Sequence, residues 1–162
     1  MTVERAAQAY RDLAPSVLGY LRALRVSEPE DVLGEVFVQV VRDIGRFRGD
    51  DPALRRWVFS IAHNRVMDTH RRLRRRPPPM LKPIPDTGTA PAPDDPLAPE
   101  LAAALASLSL DQREVVVLRF VADLSLDAVA RITSRTVGAV KSLQHRALAS
   151  LTRALCAHAP DR

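Results

Sequence analysis

Apolar residues recur along this chain at helical spacing in two separate blocks and almost nowhere alternate as a half-buried strand would. Tyr10, Leu13, Val17, Leu21 and Leu24 form the stripe of a first amphipathic helix. A second helix buries Val32, Val36, Phe37, Val40 and Ile44 and exposes Asp31, Glu35 and Gln39. The run Ser27-Glu28-Pro29-Glu30 before it has the form of a capping box, with Ser27 as cap, Glu30 reaching back and Pro29 early in the first turn. The stretch from Gly45 to Pro52 reads as a loop from its Gly and Pro content. A third helix over about 53–76 draws its apolar positions from Trp57, Val58, Ile61, Ala62, Val66 and Leu73.

The second block carries the more specific pattern. Ser125 can cap a short helix with Leu126, Val129, Ala130 and Ile132 inside and Asp127 in the first turn, where the helix dipole favours a carboxylate. Thr133-Ser134-Arg135 supplies turn chemistry, and Thr136 can cap the next helix. There Val140, Leu143, Ala147 and Leu151 make one apolar stripe and leave Lys141, Ser142, Gln144, His145 and Arg146 for other faces. Two short helices with a tight break, the second polar and basic outside, predict a helix-turn-helix whose second helix enters the major groove. Lys and Arg suit phosphate contacts, and Ser, Gln and Arg suit base edges. The alternative for this segment is a helical pair with an ordinary solvated face.

Between the blocks lies a change of composition. Nine of the thirteen prolines fall between Pro77 and Pro99, and the acidic residues Asp86, Asp94 and Asp95 stand against the single Lys82. Such a segment buries too little apolar surface to fold by itself and predicts an extended tether with a reach on the order of 70 Å. The expected architecture is therefore all-α. Two small helical domains, residues 1–76 and 100–162, are joined by a flexible Pro-rich linker over 77–99, and the C-terminal domain is a helix-turn-helix.

Charge sharpens the picture. The formal net charge is +5 and the sequence pI is near 10.3, as suits an anionic partner. Residues 1–76 hold fifteen Lys and Arg against ten Asp and Glu, with five arginines crowded between Arg71 and Arg76. One arginine at a helix end would simply complement the dipole; five, beyond a Gly-containing loop with Phe47, have the character of a phosphate-backbone footprint. Trp57 at helical spacing is more naturally core, whereas Phe47 between Arg46 and Arg48 could stack on a base. The lone Cys156 excludes an intrachain disulfide and has no partners at zinc-ligand spacing, and no apolar run approaches the roughly 18 residues of a membrane span. These features predict a cytoplasmic protein with no cofactor, no metal and no membrane insertion.

Three separated motifs resemble bacterial sigma factors of the extracytoplasmic-function (ECF) group, in the family's order. The run from Pro29 to Phe37 resembles the helix that docks on the clamp helices of RNA polymerase. Arg46-Phe47-Arg48-Gly49-Asp50, followed by the segment from Trp57 to Asp68, resembles the element that melts and reads the −10 sequence. Leu108 with Gln112 to Arg119, running into the helix-turn-helix, is similar to the domain that reads the −35 element.

The resemblance implies roles residue by residue. Asp31, Glu35 and Phe37 would lie at or beneath the polymerase-docking surface. Phe47, Arg48, Gly49 and Asp50 would hold a flipped −10 base with Asn64 near it, while His63, Arg65, Arg71 and Arg72 would follow the backbone. Lys141, Ser142, His145 and Arg146 would face the −35 major groove, with Arg135 and Thr136 near its phosphates. The implied function is promoter-specific transcription initiation with assisted strand opening. The implied partners are core RNA polymerase, promoter DNA and an anti-sigma protein. The chain departs from the family pattern at Gly34, where Gln is usual, at His63 in place of Arg, and at Leu143-Gln144, where polarity is reversed.

Other classes explain less. A stand-alone regulator could use the same helix-turn-helix but leaves the Phe47 loop and the docking helix without a role. An enzyme would need a metal motif, a phosphate-binding Gly loop or a nucleophile elbow, and the sequence has none of them. A helical adaptor accounts for packing but not for two basic surfaces.

Overall fold

The computed structural model describes residues 1–75 and 98–157 as seven helices, with no strand among them. The expected linker over 77–99 lies outside the described residues except for its end, where Pro99 opens a helix. The first block comprises α1 (Thr2–Ala23), α2 (Pro29–Asp43) and α3 (Asp51–Arg75), packed pairwise. The second comprises α4 (Pro99–Ala106), α5 (Leu110–Phe120), α6 (Leu126–Thr133) and α7 (Val137–Ala157), with α7 against the other three.

Local chemistry sets most of the boundaries. Ser109 caps α5 in a full capping box: its Oγ accepts from the Gln112 amide at 3.2 Å, and Gln112 Oε1 accepts from the Ser109 amide at 3.4 Å. Ser125 Oγ accepts from the Ala128 amide at 3.1 Å at the start of α6, and Thr136 Oγ1 accepts from the Ala139 amide at 3.1 Å at the start of α7. Ser134, at φ 55°, makes the left-handed residue of the break between α6 and α7. The box expected around Ser27 does not form. Glu28 occupies the cap position without a side-chain bond, and Glu30 instead accepts from Arg22 on α1 at 3.0 Å. That pairing, chiefly through the hydrogen bond, holds the exposed Glu30 carboxyl below its ordinary range.

Most positions of the apolar stripes are buried as their spacing requires, and the departures are particular. Leu33 rather than Val32 is the buried residue of the first turn of α2, Leu73 is exposed near the end of α3, and Tyr10 lies half outside against Phe37. Phe59, absent from the expected stripe, is fully buried with its ring edge-on to Tyr20 at 5.8 Å. Arg113 is buried too. Its guanidinium donates to the carbonyls of Leu105, Ala106 and Leu108, satisfying groups that the end of α4 would otherwise leave open. Burial, with the Arg25 charge adding, draws its pKa down from the ordinary arginine value.

The blocks are not separate bodies in this structure. Val115, Val117, Leu118, Ala122, Leu124 and Val129 of the second block belong to the same buried cluster as Leu13, Tyr20, Val58 and Phe59 of the first. The contact runs through α1 against α5 and α3 against α6. A smaller cluster of Ala104, Leu105, Leu108, Val116, Ala147 and Leu151 belongs to the second block alone.

Candidate nucleic-acid interface

Phe47 sits at the entrance to α3, its ring stacked on Trp57 with centroids 5.1 Å apart and planes 23° from parallel. The Arg5 guanidinium covers the same ring at 5.3 Å, and its Nη2 donates to the Gly49 carbonyl at 3.2 Å. Gly49 has φ 154°, and a Cβ there would stand 2.9 Å from both the Phe47 ring and the Ala53 Cβ, so only glycine fits without displacement. Asp50 caps α3 through a 3.0 Å bond from the Ala53 amide, and Arg48 folds back onto the carbonyls of Gly45 and Phe47 at 2.9 Å. The loop is thus a preformed aromatic shelf. Trp57, expected as core, is half-buried and forms its floor.

The outer face of α3 continues from this shelf. Asn64 is exposed seven residues beyond Trp57, about 10 Å further along the axis on the same face. Arg65 is half-buried, held by Gln39 at 3.2 Å and Glu35 at 3.5 Å on α2. Arg71 and Arg72 are exposed in the last turns, Arg71 with a 3.4 Å contact to Asp68. His63 turns away from this face, toward the second block, where its Nδ1 lies 2.5 Å from Glu114. The structure therefore brings Phe47, Arg48, Gly49 and Asp50 together with Asn64, Arg71 and Arg72 on one side of α3. It sets His63 on another.

On α2 the candidates divide by depth. Asp31 and Glu35 are exposed, while Phe37 is buried beneath them against Tyr10, ring centroids 4.8 Å apart. Val38 and Val41, which the apolar pattern did not single out, are 58% and 55% exposed on the outer side with Glu35. A Cβ at Gly34 would meet nothing within 4 Å, so no packing demands glycine there. The outer face of α2 thus sets two exposed valines beside the exposed acids Asp31 and Glu35.

The reversed pair on α7 resolves by packing. Leu143 is half-buried against the core, and Gln144 accepts from Arg119 Nε at 3.1 Å, so neither is free to read DNA. Lys141, Ser142, His145 and Arg146 are exposed on the outer side, and Lys141 and His145 have no partner among the described residues. Arg135 pairs with Asp111 at 2.9 Å, and Thr136 is spent on the α7 cap. Arg146→Ala should cost about 1–3 kcal/mol of duplex binding and relax preference at one base position, if it reads a base edge. Lys141→Ala should weaken all sequences alike and flatten the salt dependence of binding. Fluorescence anisotropy across a salt series separates the two; Leu143→Ala, the control, should move the melting curve and not the preference.

A helix-turn-helix on a second block, beside a basic helix led by an aromatic loop, defines a DNA-binding protein with two reading faces. Family comparison agrees: residues 9–76 match Sigma-70 region 2 and residues 99–151 match Sigma-70, region 4. The ECF RNA polymerase sigma factor ShbA of Streptomyces griseus is 33% identical, over 92% of this chain and 88% of its own. SigD of Mycobacterium tuberculosis, also an ECF sigma factor, is 31% identical over 86% of this chain and 71% of its own. Among solved structures, the sigma factor RpoE of Bartonella quintana, in complex with the anti-sigma factor NepR, shares the fold. Its TM-score is 0.75 at 22% identity, over 94% of this chain and 98% of that one. The chain belongs to the ECF group of RNA polymerase sigma factors, the promoter-recognising factors of transcription initiation.

Sequence reasoning missed four participants: Arg5, which lies outside any motif, the exposed Val38 and Val41, and Glu114. Only Glu114 carried a signal, as an acid beside the apolar run Val115 to Leu118.

Proposed function

We propose that this sigma factor docks on core RNA polymerase through the outer face of α2 and reads two promoter elements with different parts of its surface. Asp31, Glu35, Val38 and Val41 meet the polymerase, with Phe37 supporting them from below. The shelf of Phe47 on Trp57 takes an unstacked −10 base in the place that Arg5 holds over the Phe47 ring, helped by Arg48, Gly49, Asp50 and Asn64, while Arg65, Arg71 and Arg72 serve the adjoining backbone; His63, turned to Glu114 in this structure, joins them only on leaving that partner. Lys141, Ser142, His145 and Arg146 read the −35 duplex from the major groove, and Arg135 and Thr136 lie beside its phosphates. Residues 1–76 and 100–162 act as the two reading domains, and 77–99 tethers them. The protein catalyses no reaction itself; it works in the cytoplasm, where polymerase is, and an anti-sigma protein holds it in reserve.

The observation that carries this reading is the preformed aromatic shelf at the head of a helix that ends in exposed arginines. A duplex-reading regulator has no use for such a shelf, because paired bases offer no face to stack on. No helix among the described residues is long and apolar enough to cross a membrane, and no cluster there could hold a metal ion. The test is reconstituted run-off transcription with core polymerase on sequence-randomised promoters, which should return two conserved elements at −35 and −10. Glu35→Lys should lower core binding at least tenfold with unchanged helicity, since its exposed pair with Arg65 contributes little to stability. Unaltered co-purification with core enzyme would remove α2 from the interface.

A further inference from the structure

A polar tie that no role above employs fastens α7 to the rest of its block. Arg119, half-buried on α5, donates from Nε to the Gln144 Oε1 of α7 at 3.1 Å. Its Nη1 donates to the Leu124 carbonyl at 2.6 Å, one residue before Ser125, the cap of α6. The guanidinium also lies over its own Phe120 ring, 5.7 Å from the centroid. One planar group thus joins the end of α5, the start of α6 and the middle of α7. Two donors leaving a rigid plane in different directions fix an angle as well as a distance. An ammonium is a point charge on a flexible stem and fixes only the distance.

The position of Gln144 on α7 gives the tie its consequence. At about 100° per residue, Ala147 and Leu151 fall within about 20° of Val140, the centre of the buried stripe. On the same wheel Gln144 stands about 40° from Val140, between the stripe and the exposed Lys141. Leu143 borders the opposite edge, next to Arg146. Apolar burial is non-directional, so the stripe holds α7 down without fixing its rotation. Rotation is what base reading needs. A turn of about 20° moves side-chain tips roughly 6 Å from the axis by about 2 Å, several times the ~0.5 Å range of a good hydrogen bond. A directional bond at the edge of the reading face opposes that turn.

We propose that Arg119 is a positioning residue for −35 recognition. Acting through Gln144 and the Leu124 carbonyl, it sets the rotation of α7 at which Lys141, Ser142, His145 and Arg146 meet the groove together. The inference rests on the assignment of α7 to the −35 element. Gln144 is also a position where the chain departs from the family pattern, and the tie is built on that departure.

The test measures discrimination rather than affinity. Full-length variants are assembled with core polymerase and offered two promoters, identical except that the −35 element is either the one selected by the wild-type protein or a scrambled one. Competitive gel shift gives the ratio of the two affinities. Gln144→Met, an unbranched side chain of similar length that suits a helix, should lower the ratio about tenfold, the order of one good base contact. Binding to the scrambled promoter and its salt dependence should stay within about twofold, because no charge is removed. The thermal midpoint of the free chain should stay close to that of the wild type. Gln144→Glu keeps an acceptor for the Arg119 Nε and should hold the ratio; its added charge weakens both promoters alike and cancels. Arg119→Lys keeps the charge but not the fork, and should lose as much as Gln144→Met. The two changes combined should lose no more than either alone. An unchanged ratio in Gln144→Met overturns the proposal. So does an equal loss in Gln144→Glu, which would make the amide itself the reader. Wild-type behaviour of Arg119→Lys overturns it too, leaving a charge on a phosphate. A wrong −35 assignment looks different: Lys141→Ala and Arg146→Ala would then leave the ratio untouched.

Discussion

Phe59→Ala is expected to cost about 3–5 kcal/mol of folding stability, the largest single-residue effect anticipated in this chain. The ring is fully buried, edge-on to Tyr20, in the cluster shared by both blocks. Truncation removes its transfer energy and leaves a cavity that rigid helices on three sides cannot fill. Against a typical domain stability of about 5–15 kcal/mol, such a loss brings the protein near unfolding at ordinary temperature. Urea titration followed by circular dichroism and by the fluorescence of Trp57, the only tryptophan, should show both probes falling together at a lower midpoint. A loss under about 1 kcal/mol would mean that the site collapses without cost and that Phe59 does not anchor the shared core.

Phe59 lies three residues before Ala62 and seven before Val66, on the face the expected stripe already covered, so helical spacing could have found it. Spacing does not say which neighbour each face meets, and α3 packs against α1, α2 and α6. On α7 the stripe and the structure agree at Val140, Ala147 and Leu151. Local caps were legible when the acceptor had no rival: Ser125 and Thr136 bond their own helix starts. The box at Ser27 failed because Arg22, one helix away, offered Glu30 a charged donor stronger than an amide. Site residues were recognisable by type and position, but not their engagements. No local pattern announces that Arg5 covers Phe47, that Gln144 is held by Arg119, or that Glu114 reaches His63 fifty-one positions away. Those are tertiary facts, and they decide which polar residues remain free for DNA.

The double replacement Phe47→Ala with Asn64→Ala should impair strand opening far more than the first encounter with duplex. An unpaired base stacked on an aromatic shelf gains about 1–3 kcal/mol, and a lost side-chain hydrogen bond is worth about 0.5–1.5 kcal/mol. Together these give roughly 1.5–4.5 kcal/mol, a fall of about 10- to 2000-fold in the open complex. Duplex binding should stay within about twofold, because the exposed cations of α7 that carry it, Lys141 and Arg146, are untouched. Folding should survive: Asn64 is exposed, and Phe47 is a half-buried loop residue whose floor, Trp57, remains. Gly49→Ala should act in the same direction with the ring still present, since its Cβ would press within 2.9 Å of Phe47 and tilt the shelf. Permanganate reactivity of −10 thymines measures opening, and gel shift at low temperature measures the closed complex. Equal loss in both would turn Phe47 and Asn64 into general contacts. Normal opening by the double variant would leave the −10 base without its shelf and move strand separation elsewhere on α3.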